Sequence, residues 1–544
     1  MTRSLSSRLG HGLLKTFMQR GLHRFEREAP KLELIQRSLL QKWLHGHTRT
    51  VSATRYHLKA NDSWEQFANK QPCTTYDSYR KLIELQRSQQ NKQLFDSPVS
   101  RYQPTSGSTS AIKWIPYTQA FLGELDQAIT PWIGDLYRQF PKIAQGSHYW
   151  SLSWIPTSLR DASSHELNDD MQLMSLGKRL IAGLTQTAPA SIALARTAED
   201  SLFATLAYLA ADEHLSVISI WSPTFGLGLL EQLGSCREEL IEVLQQGTWG
   251  MRAEAMAGLK CPRAHKAAQR LKAWNGVADP AFFAELWPRL ALLSAWDTAA
   301  ASPWAQQLQK LLAHAQFQGK GLWATEGVVS IPLRNHCPLA YRSHVYEFED
   351  LENGQILAPW QLRKGQQVMP LLTTGSGFAR YRMNDVLQVS DHWRTLPCFT
   401  FLGRNDGSDL VGEKISAALA QSIIDGLSYS GQLPITLLAL NDCVRGKPGY
   451  VLLVEGPANS NSMSTTALAA QLEHALLKNF HYRLARDLGQ LAPAHCICLP
   501  NMRQIYLEQS RARGMLEGNI KLEALRHWSG PLPMALRQAL EATA

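Results

Sequence analysis

The sequence predicts an α/β protein, built as a large body of layered sheets and helices with a β-rich part, followed by a small α+β body. Three observations carry this reading. Short apolar runs, Leu215-Ser-Val-Ile-Ser-Ile-Trp221 and Leu290-Ala-Leu-Leu-Ser294, interrupt a helix-dominated stretch from 170 to 320. Parallel strands buried on both faces between helices look like this. Between 321 and 404 the pattern changes to strands and turns. After the polar segment Gly403-Arg-Asn-Asp-Gly-Ser408 a fresh α+β pattern begins, so the domains are placed at 1–405 and 406–544.

The elements follow in chain order. The first 25 residues carry Arg3, Arg8, Lys15, Arg20 and Arg24 but no Asp or Glu, a bias shared with transit peptides. Leu9, Leu13, Leu14, Phe17 and Leu22 nevertheless recur at helical spacing, which favours an amphipathic helix resting on the body. Residues 30–95 read as helical, with Leu32, Leu34, Ile35, Leu39, Leu40 and Trp43 at core positions. Thr118 is an N-cap for a helix from Gln119 to Gln139 that Pro141 stops. Strands are expected at Val328–Pro332, Val345–Phe348, Gln367–Leu372 and Val386–Val389. Beyond the boundary come a helix at Ala417–Leu427, a strand at Gly449–Glu455 and a helix at Thr465–Asn479.

Composition narrows the function. At 544 residues, 44% apolar and 19% charged, the chain is a folded multidomain protein. The net charge of +9 is a mild excess that draws polyanionic small molecules towards a basic cleft; no basic-aromatic motif points to nucleic acid. No apolar run is long enough to span a membrane. The eight cysteines form no CxxC and no metal spacing, which implies reduced thiols and a cytoplasmic protein. There is no G-x-S-x-G, H-E-x-x-H or Walker loop to suggest a hydrolase or a P-loop enzyme.

The segment with most chemistry in it is Thr105-Ser106-Gly107-Ser108-Thr109-Ser110-Ala111, between Pro104 and Lys113. Seven small residues, five of them hydroxylic, allow backbone N–H groups to converge on an anion, with Lys113 adding charge. Further on stand Trp323-Ala-Thr325-Glu326-Gly327, then Tyr381-Arg-Met-Asn384-Asp385, then Gly403-Arg404. A nucleotide site uses such parts: an aromatic on the base, a carboxylate on Mg²⁺, another on ribose hydroxyls, and an Arg beside the phosphate or ribose. Taken singly, each is equally a turn, a core tryptophan or an ion pair.

In this order the segments resemble the acyl-adenylate-forming superfamily. With Ile220-Trp-Ser-Pro-Thr-Phe-Gly226 and Leu286–Trp296 they are similar to the auxin-responsive Gretchen Hagen family of acyl acid amido synthetases, in a bacterial-type version. The resemblance implies a large adenylating domain and a small mobile one. It implies ATP-dependent adenylation of a carboxylic acid, then transfer of the acyl group to an amino acid; a coenzyme A or carrier thiol as acceptor is the alternative. A non-catalytic binding protein of the same fold is a third reading. ATP and Mg²⁺ are the implied cofactors, a small carboxylic acid and an amino acid the partners, with no nucleic acid or membrane, and a monomer the expected state.

Residue by residue, the resemblance gives Thr105, Ser106, Gly107, Ser108 and Thr109 to the ATP phosphates, with Lys113 nearby. It gives Trp323 to the adenine side, Thr325 to the phosphate or acyl group, Glu326 to Mg²⁺, and Asp385 and Arg404 to the ribose and nucleotide. Asp406 resembles the hinge. Lys521, in Gly518-Asn-Ile-Lys521-Leu522, resembles the catalytic lysine, and Lys414, in Gly412-Glu-Lys414-Ile415, is its competitor. Two departures stand out. Asn384 replaces the family's Gly, and Lys521-Leu-Glu-Ala-Leu-Arg526 replaces Lys-x-Pro-Arg. The acid itself is unread; Trp154–Met174 and the residues around Val328 and Val329 are expected to line its pocket, where Trp154 and Arg160 suit a planar acid.

Overall fold

The computed structural model describes all residues except 1, 49, 90–93, 95–96, 107–111, 152–182, 257, 406, 445, 458–461, 513–514, 516–517, 519, 529 and 544. A helix runs from Thr2 to Glu28. Leu14 and Leu22 of the expected apolar face are buried, together with Met18 and Phe25, but Leu9, Leu13 and Phe17 are exposed, so the packed face is set further round the helix than the spacing suggested. This helix crosses the Gln119–Gln139 helix so closely that a Cβ on Gly134 would lie 2.5 Å from the Met18 carbonyl oxygen. His11 ties the pair down, with one ring nitrogen 2.8 Å from Tyr137 Oη and the other 2.6 Å from Gly146 O.

Paired strands flank the small-residue segment. β1 (Val99–Ser106) pairs antiparallel with β2 (Ile112–Thr118), and the register sets Thr105 opposite Lys113. Thr118 ends β2 and caps the next helix, its Oγ1 accepting from Phe121 N–H.

A four-stranded parallel sheet follows, with β3 (Ser147–Trp150), β4 (Leu215–Ser219), β5 (Leu292–Ala295) and β6 (Gln316–Gly319) side by side in that order. The apolar runs at 215–221 and 290–294 are thus buried parallel strands. β7 (Trp323–Ala324) and β8 (Gly327–Val328) make a tight hairpin with Thr325 and Glu326 at its tip. The strand expected to continue to Pro332 ends at Val328.

An antiparallel sheet comes next. Its strands are β9 (Val345–Asp350), β10 (Ile356–Leu357), β11 (Gln367–Thr373), β12 (Tyr381–Arg382), β13 (Asp385–Trp393) and β14 (Leu396–Arg404). Their order is β10-β9-β11-β13-β14, with β12 also on β11.

After a short ribbon of β15 (Gly407–Ser408) and β16 (Ile415–Ser416), the remaining residues build a mixed sheet. It contains β17 (Leu433–Val444), β18 (Lys447–Glu455), β19 (His495–Leu499) and β20 (Leu525–Trp528), ordered β19-β18-β17-β20. The helices Ala417–Gly426 and Ser462–Leu476 match their expected places.

This sheet does not stand alone. Ile435, Leu438 and Leu453 share a continuous apolar cluster with Trp304 and Leu308 of the Ser302–Leu311 helix. Fully buried Trp304 donates its indole N–H to Pro434 O at 3.1 Å. Arg503 stacks 5.5 Å from the same ring and pairs with Glu231 at 2.6 Å.

Candidate active site

Open α/β sheets bind ligands beyond the carboxyl ends of their parallel strands. Here those ends present Trp150, Trp221, Trp296 and Lys320. Trp323 completes an aromatic cluster: its ring centroid lies 5.5 Å from that of Trp132 and 5.8 Å from that of Trp221. Trp132 meets Trp150 at 5.6 Å, and Trp221 meets Trp296 at 5.7 Å. The buried Lys320 ammonium lies 4.0 Å from the Trp221 ring centroid and donates to Ser219 Oγ at 2.9 Å.

Next to this cluster is a cavity of about 1100 Å³, lined by residues from both halves of the chain. That volume admits a nucleotide together with a small acid. Its walls include Trp296, Asp297 and Leu322 on the parallel-sheet side, Asp385, Phe401 and Arg404 from β13 and β14, and Lys521 and Glu523 from the C-terminal region.

Of the site residues read from the sequence, Asp385, Arg404 and Lys521 line this cavity; Thr325 and Glu326 do not, although the Glu326 carboxylate acts on the Lys521 ammonium. Asp385 and Arg404 are register partners on β13 and β14, with Arg404 Nε 3.9 Å from Asp385 Oδ1. The other end of the same guanidinium reaches Glu523 Oε1 at 3.6 Å. Tyr381 Oη donates to Glu326 Oε1 at 3.4 Å, and Tyr117 Oη donates to Thr325 O at 3.1 Å, which fixes the hairpin tip. Lys521 is half-buried, its Nζ 4.8 Å from the Trp296 ring centroid. Burial lowers its ammonium pKa from the ordinary lysine value, and Arg404 adds to this; the nearby carboxylates of Asp385, Glu326 and Glu523 hold it up.

Other expected positions are not at this centre. Lys414 is exposed at a left-handed φ of 49° and does not line the cavity. The buried Glu413 beside it accepts from the Leu410 and Val411 amides, both at 2.8 Å, and holds that turn. Trp323, read as the adenine-side aromatic, packs in the tryptophan cluster, and its neighbour Leu322 lines the cavity instead. Successive residues of an extended segment point to opposite sides, so the one-residue offset moves the ring away. Lys113 lies 5.8 Å from the Tyr76 ring centroid, on the hairpin that carries Thr105 and Ser106 in its strand. Gly107, Ser108, Thr109, Asp406, Trp154 and Arg160 lie outside the described residues.

The Asn384 departure turns out to be unstrained. Asn384 does not adopt a left-handed φ; the left-handed residue of this segment is Arg380, at 48°. Arg380 is not a ligand residue either. Its Nε and Nη2 donate to buried Glu347 at 2.7 and 3.0 Å, and its Nη1 donates to Ala68 O and Gln71 O. Arg382 likewise pairs with Glu349, at 2.7 Å.

Three cavity residues escaped sequence reasoning. Trp296 and Lys320 are given no role from the sequence. Asp297 has no motif around it, yet burial pushes its carboxyl up to about 6, and its oxygens lie where a Cβ on Gly319 would be, within 2.1 and 2.4 Å. Only the glycine at the end of β6 gave a hint of so close an approach.

The residues fit the implied Mg²⁺. Among the described residues no cluster of three or more His, Cys, Asp or Glu could cage a metal. Mg²⁺ at nucleotide sites uses one or two protein carboxylates plus phosphates and water. Glu326, with a single long hydrogen bond, has lone pairs free for that role.

A family model described as the GH3 family N-terminal domain matches residues 21–317, and the GH3 family central domain matches residues 337–404. The chain belongs to the GH3 family. This is the family whose motifs the sequence carries. Among solved structures, GH3.15 acyl acid amido synthetase superposes with a TM-score of 0.77 at 16% identity, covering 96% of each chain. The same synthetase in complex with 2,4-DB gives 0.77 and 16%, over 97% of this chain and 96% of that one. A 2-hydroxyisobutyryl-CoA ligase in the postadenylation state gives 0.52 at 12% identity, over 95% and 93%. At these identities the likeness is one of fold, and it bears out the α/β architecture of a large and a small part. No curated protein matches the chain. No helix among the described residues is long and apolar enough to cross a membrane.

Proposed function

We propose that this GH3-family chain is an ATP-dependent ligase that adenylates a carboxylic acid and passes the acyl group to the amine of an amino acid. The observation that carries this is the convergence of Lys521, Asp385 and Arg404 on one cavity, with the Glu326 carboxylate near enough to act on the Lys521 ammonium.

In the first half-reaction a substrate carboxylate oxygen attacks the α-phosphorus of ATP. The bond to pyrophosphate breaks, and acyl-AMP forms. The carboxylate is already a competent nucleophile, so the protein's work is positioning and charge neutralisation. Asp385 accepts from the ribose hydroxyls, Arg404 steadies the nucleotide, and the 105–109 loop with Lys113 cradles the phosphates. Lys521 neutralises charge on the α-phosphate and the carboxylate. Glu326 would hold Mg²⁺, which supplies charge neutralisation on the phosphates. In the second half-reaction the amine nitrogen attacks the acyl carbon, the bond to AMP breaks, and the nitrogen gives up a proton as the amide forms.

The chain divides at 405, and residues 406–544 rotate between the two halves, turning near Asp406 and bringing the Lys414 turn towards the cavity. The acid lies against the tryptophan cluster at the ends of β3 to β6. The protein acts as a monomer in the cytoplasm, in keeping with eight cysteines present as thiols.

ATP–pyrophosphate exchange across a panel of carboxylic acids tests the first half. AMP release with the best acid and either amino acids or coenzyme A tests the second. No exchange with any acid overturns the proposal, and release with coenzyme A alone makes the chain a thioester ligase.

A further inference from the structure

Three segments with nucleotide roles meet at one place. They are the end of β2, the hairpin tip at Thr325–Glu326, and the loop after β11 that leads to Asp385. The meeting point is the first two turns of the 119–139 helix, where Thr118, Phe121 and Glu124 share one face. Thr118 Oγ1 donates to Gly375 O at 2.8 Å. Gly375 N–H donates back to both Glu124 oxygens, at 3.0 and 2.9 Å. His344 lies 2.8 Å from Glu124 Oε2 through Nδ1, and its Nε2 is 3.2 Å from Val328 N.

A backbone amide can only donate, so Nε2 accepts from Val328, and the ring's proton sits on Nδ1, donated to Glu124. The ring is 1% exposed and stacks on Phe121 at 5.5 Å. Nothing in this junction has slack. A Cβ on Gly375 would come within 2.7 Å of Phe121 N, and one on Gly327 within 3.0 Å of His344 Nε2.

We infer that His344, oriented by Glu124, is a positioning residue that sets the height of the Glu326 tip against the ribose segment by holding the Val328 amide. It touches neither metal nor nucleotide. The inference rests on the reading of Glu326 as the Mg²⁺ ligand.

The test uses the full-length chain in ATP–pyrophosphate exchange, with the Mg²⁺ concentration for half-maximal rate as the readout and thermal melting as a check of folding. His344→Phe fills the site but cannot accept from Val328 N–H. It should raise the Mg²⁺ requirement by about tenfold or more, as loss of supporting groups around metal ligands does, and leave KM for the acid within about twofold. His344→Gln places a carbonyl oxygen near Nε2 and should restore most of the loss. An unchanged Mg²⁺ requirement in folded His344→Phe overturns the inference, and so does an equal loss in every parameter. If His344→Phe does not fold, Glu124→Gln decides by the same readout. Glu326→Ala separates the two levels: if it leaves the Mg²⁺ dependence unchanged, the metal reading fails and this inference falls with it.

Discussion

Arg380 sits inside the Phe-Ala-Arg-Tyr-Arg motif, where an arginine invites a phosphate-binding role, and the structure makes the opposite prediction. Arg380 and Glu347 are 6% and 4% exposed. The guanidinium makes two bonds to the carboxylate, at 2.7 and 3.0 Å, and two to the carbonyls of Ala68 and Gln71, at 2.7 and 2.8 Å. Arg380→Met keeps the volume and leaves a buried carboxylate and two carbonyls without their donor. Breaking a buried pair from one side costs about 3–5 kcal/mol.

The sign with pH follows from Glu347. Burial raises its carboxyl above the ordinary value even with Arg380 present. A group raised in the folded state contributes stability at low pH that is lost as pH rises through the folded value. Without Arg380 that value rises further, so the deficit should be smaller at about pH 5 than at about pH 8. Urea unfolding followed by tryptophan fluorescence measures it. Glu347→Met added to Arg380→Met should recover part of the loss, with a coupling of about 2 kcal/mol or more. Where the variant is folded, exchange activity should persist. A variant of unchanged stability that has lost exchange would refute the structural role, and additive single losses would refute the pair.

Lys521→Ala should cut pyrophosphate exchange by about 10²–10³-fold while Lys414→Ala leaves it near the parent rate, as measured with saturating ATP. Burial holds the Asp297 carboxyl up at about 6. Asp297→Asn should therefore stabilise the protein by about 2 kcal/mol above that pH and add little at about pH 4, as read from urea midpoints at both. Gly321→Ala puts a Cβ 2.2 Å from Ser330 O and 2.6 Å from its carbonyl carbon. Both are backbone atoms that cannot swing aside, so melting should show a loss of about 2–4 kcal/mol.

Much of the architecture was legible because it rests on local signals. Thr118 caps its helix as its residue type and position foretell, and the runs at 215 and 290 are apolar enough to be read as parallel strands. Motif order singled out Asp385 and Arg404, and the register of β13 with β14 is what makes them neighbours. The rest depended on distances across the fold. Leu322, not Trp323, lines the cavity, a one-residue difference of facing that spacing alone does not decide. Arg380 and Glu347, 33 positions apart, and Glu124 and His344, 220 apart, are partners that no window along the chain contains. Asn384 stands where the family has Gly, yet the left-handed backbone sits four residues earlier, at Arg380. That Lys521 lines the cavity and Lys414 does not follows from the fold, and no spacing along the chain shows it.

Trp304 ends up as the hub of the contact between the two halves. Its indole N–H is bound to Pro434, its face lies under Arg503, and Arg503 is bound to Glu231 on the other side. Any swing of residues 406–544 must strip this ring of its hydrogen bond and its cation and open it to water. The indole is thus a natural optical reporter. Trp304→Phe, set against the parent chain on adding ATP and acid, would isolate the emission change that belongs to the swing, and its time course would give the rate at which the second half-reaction can begin.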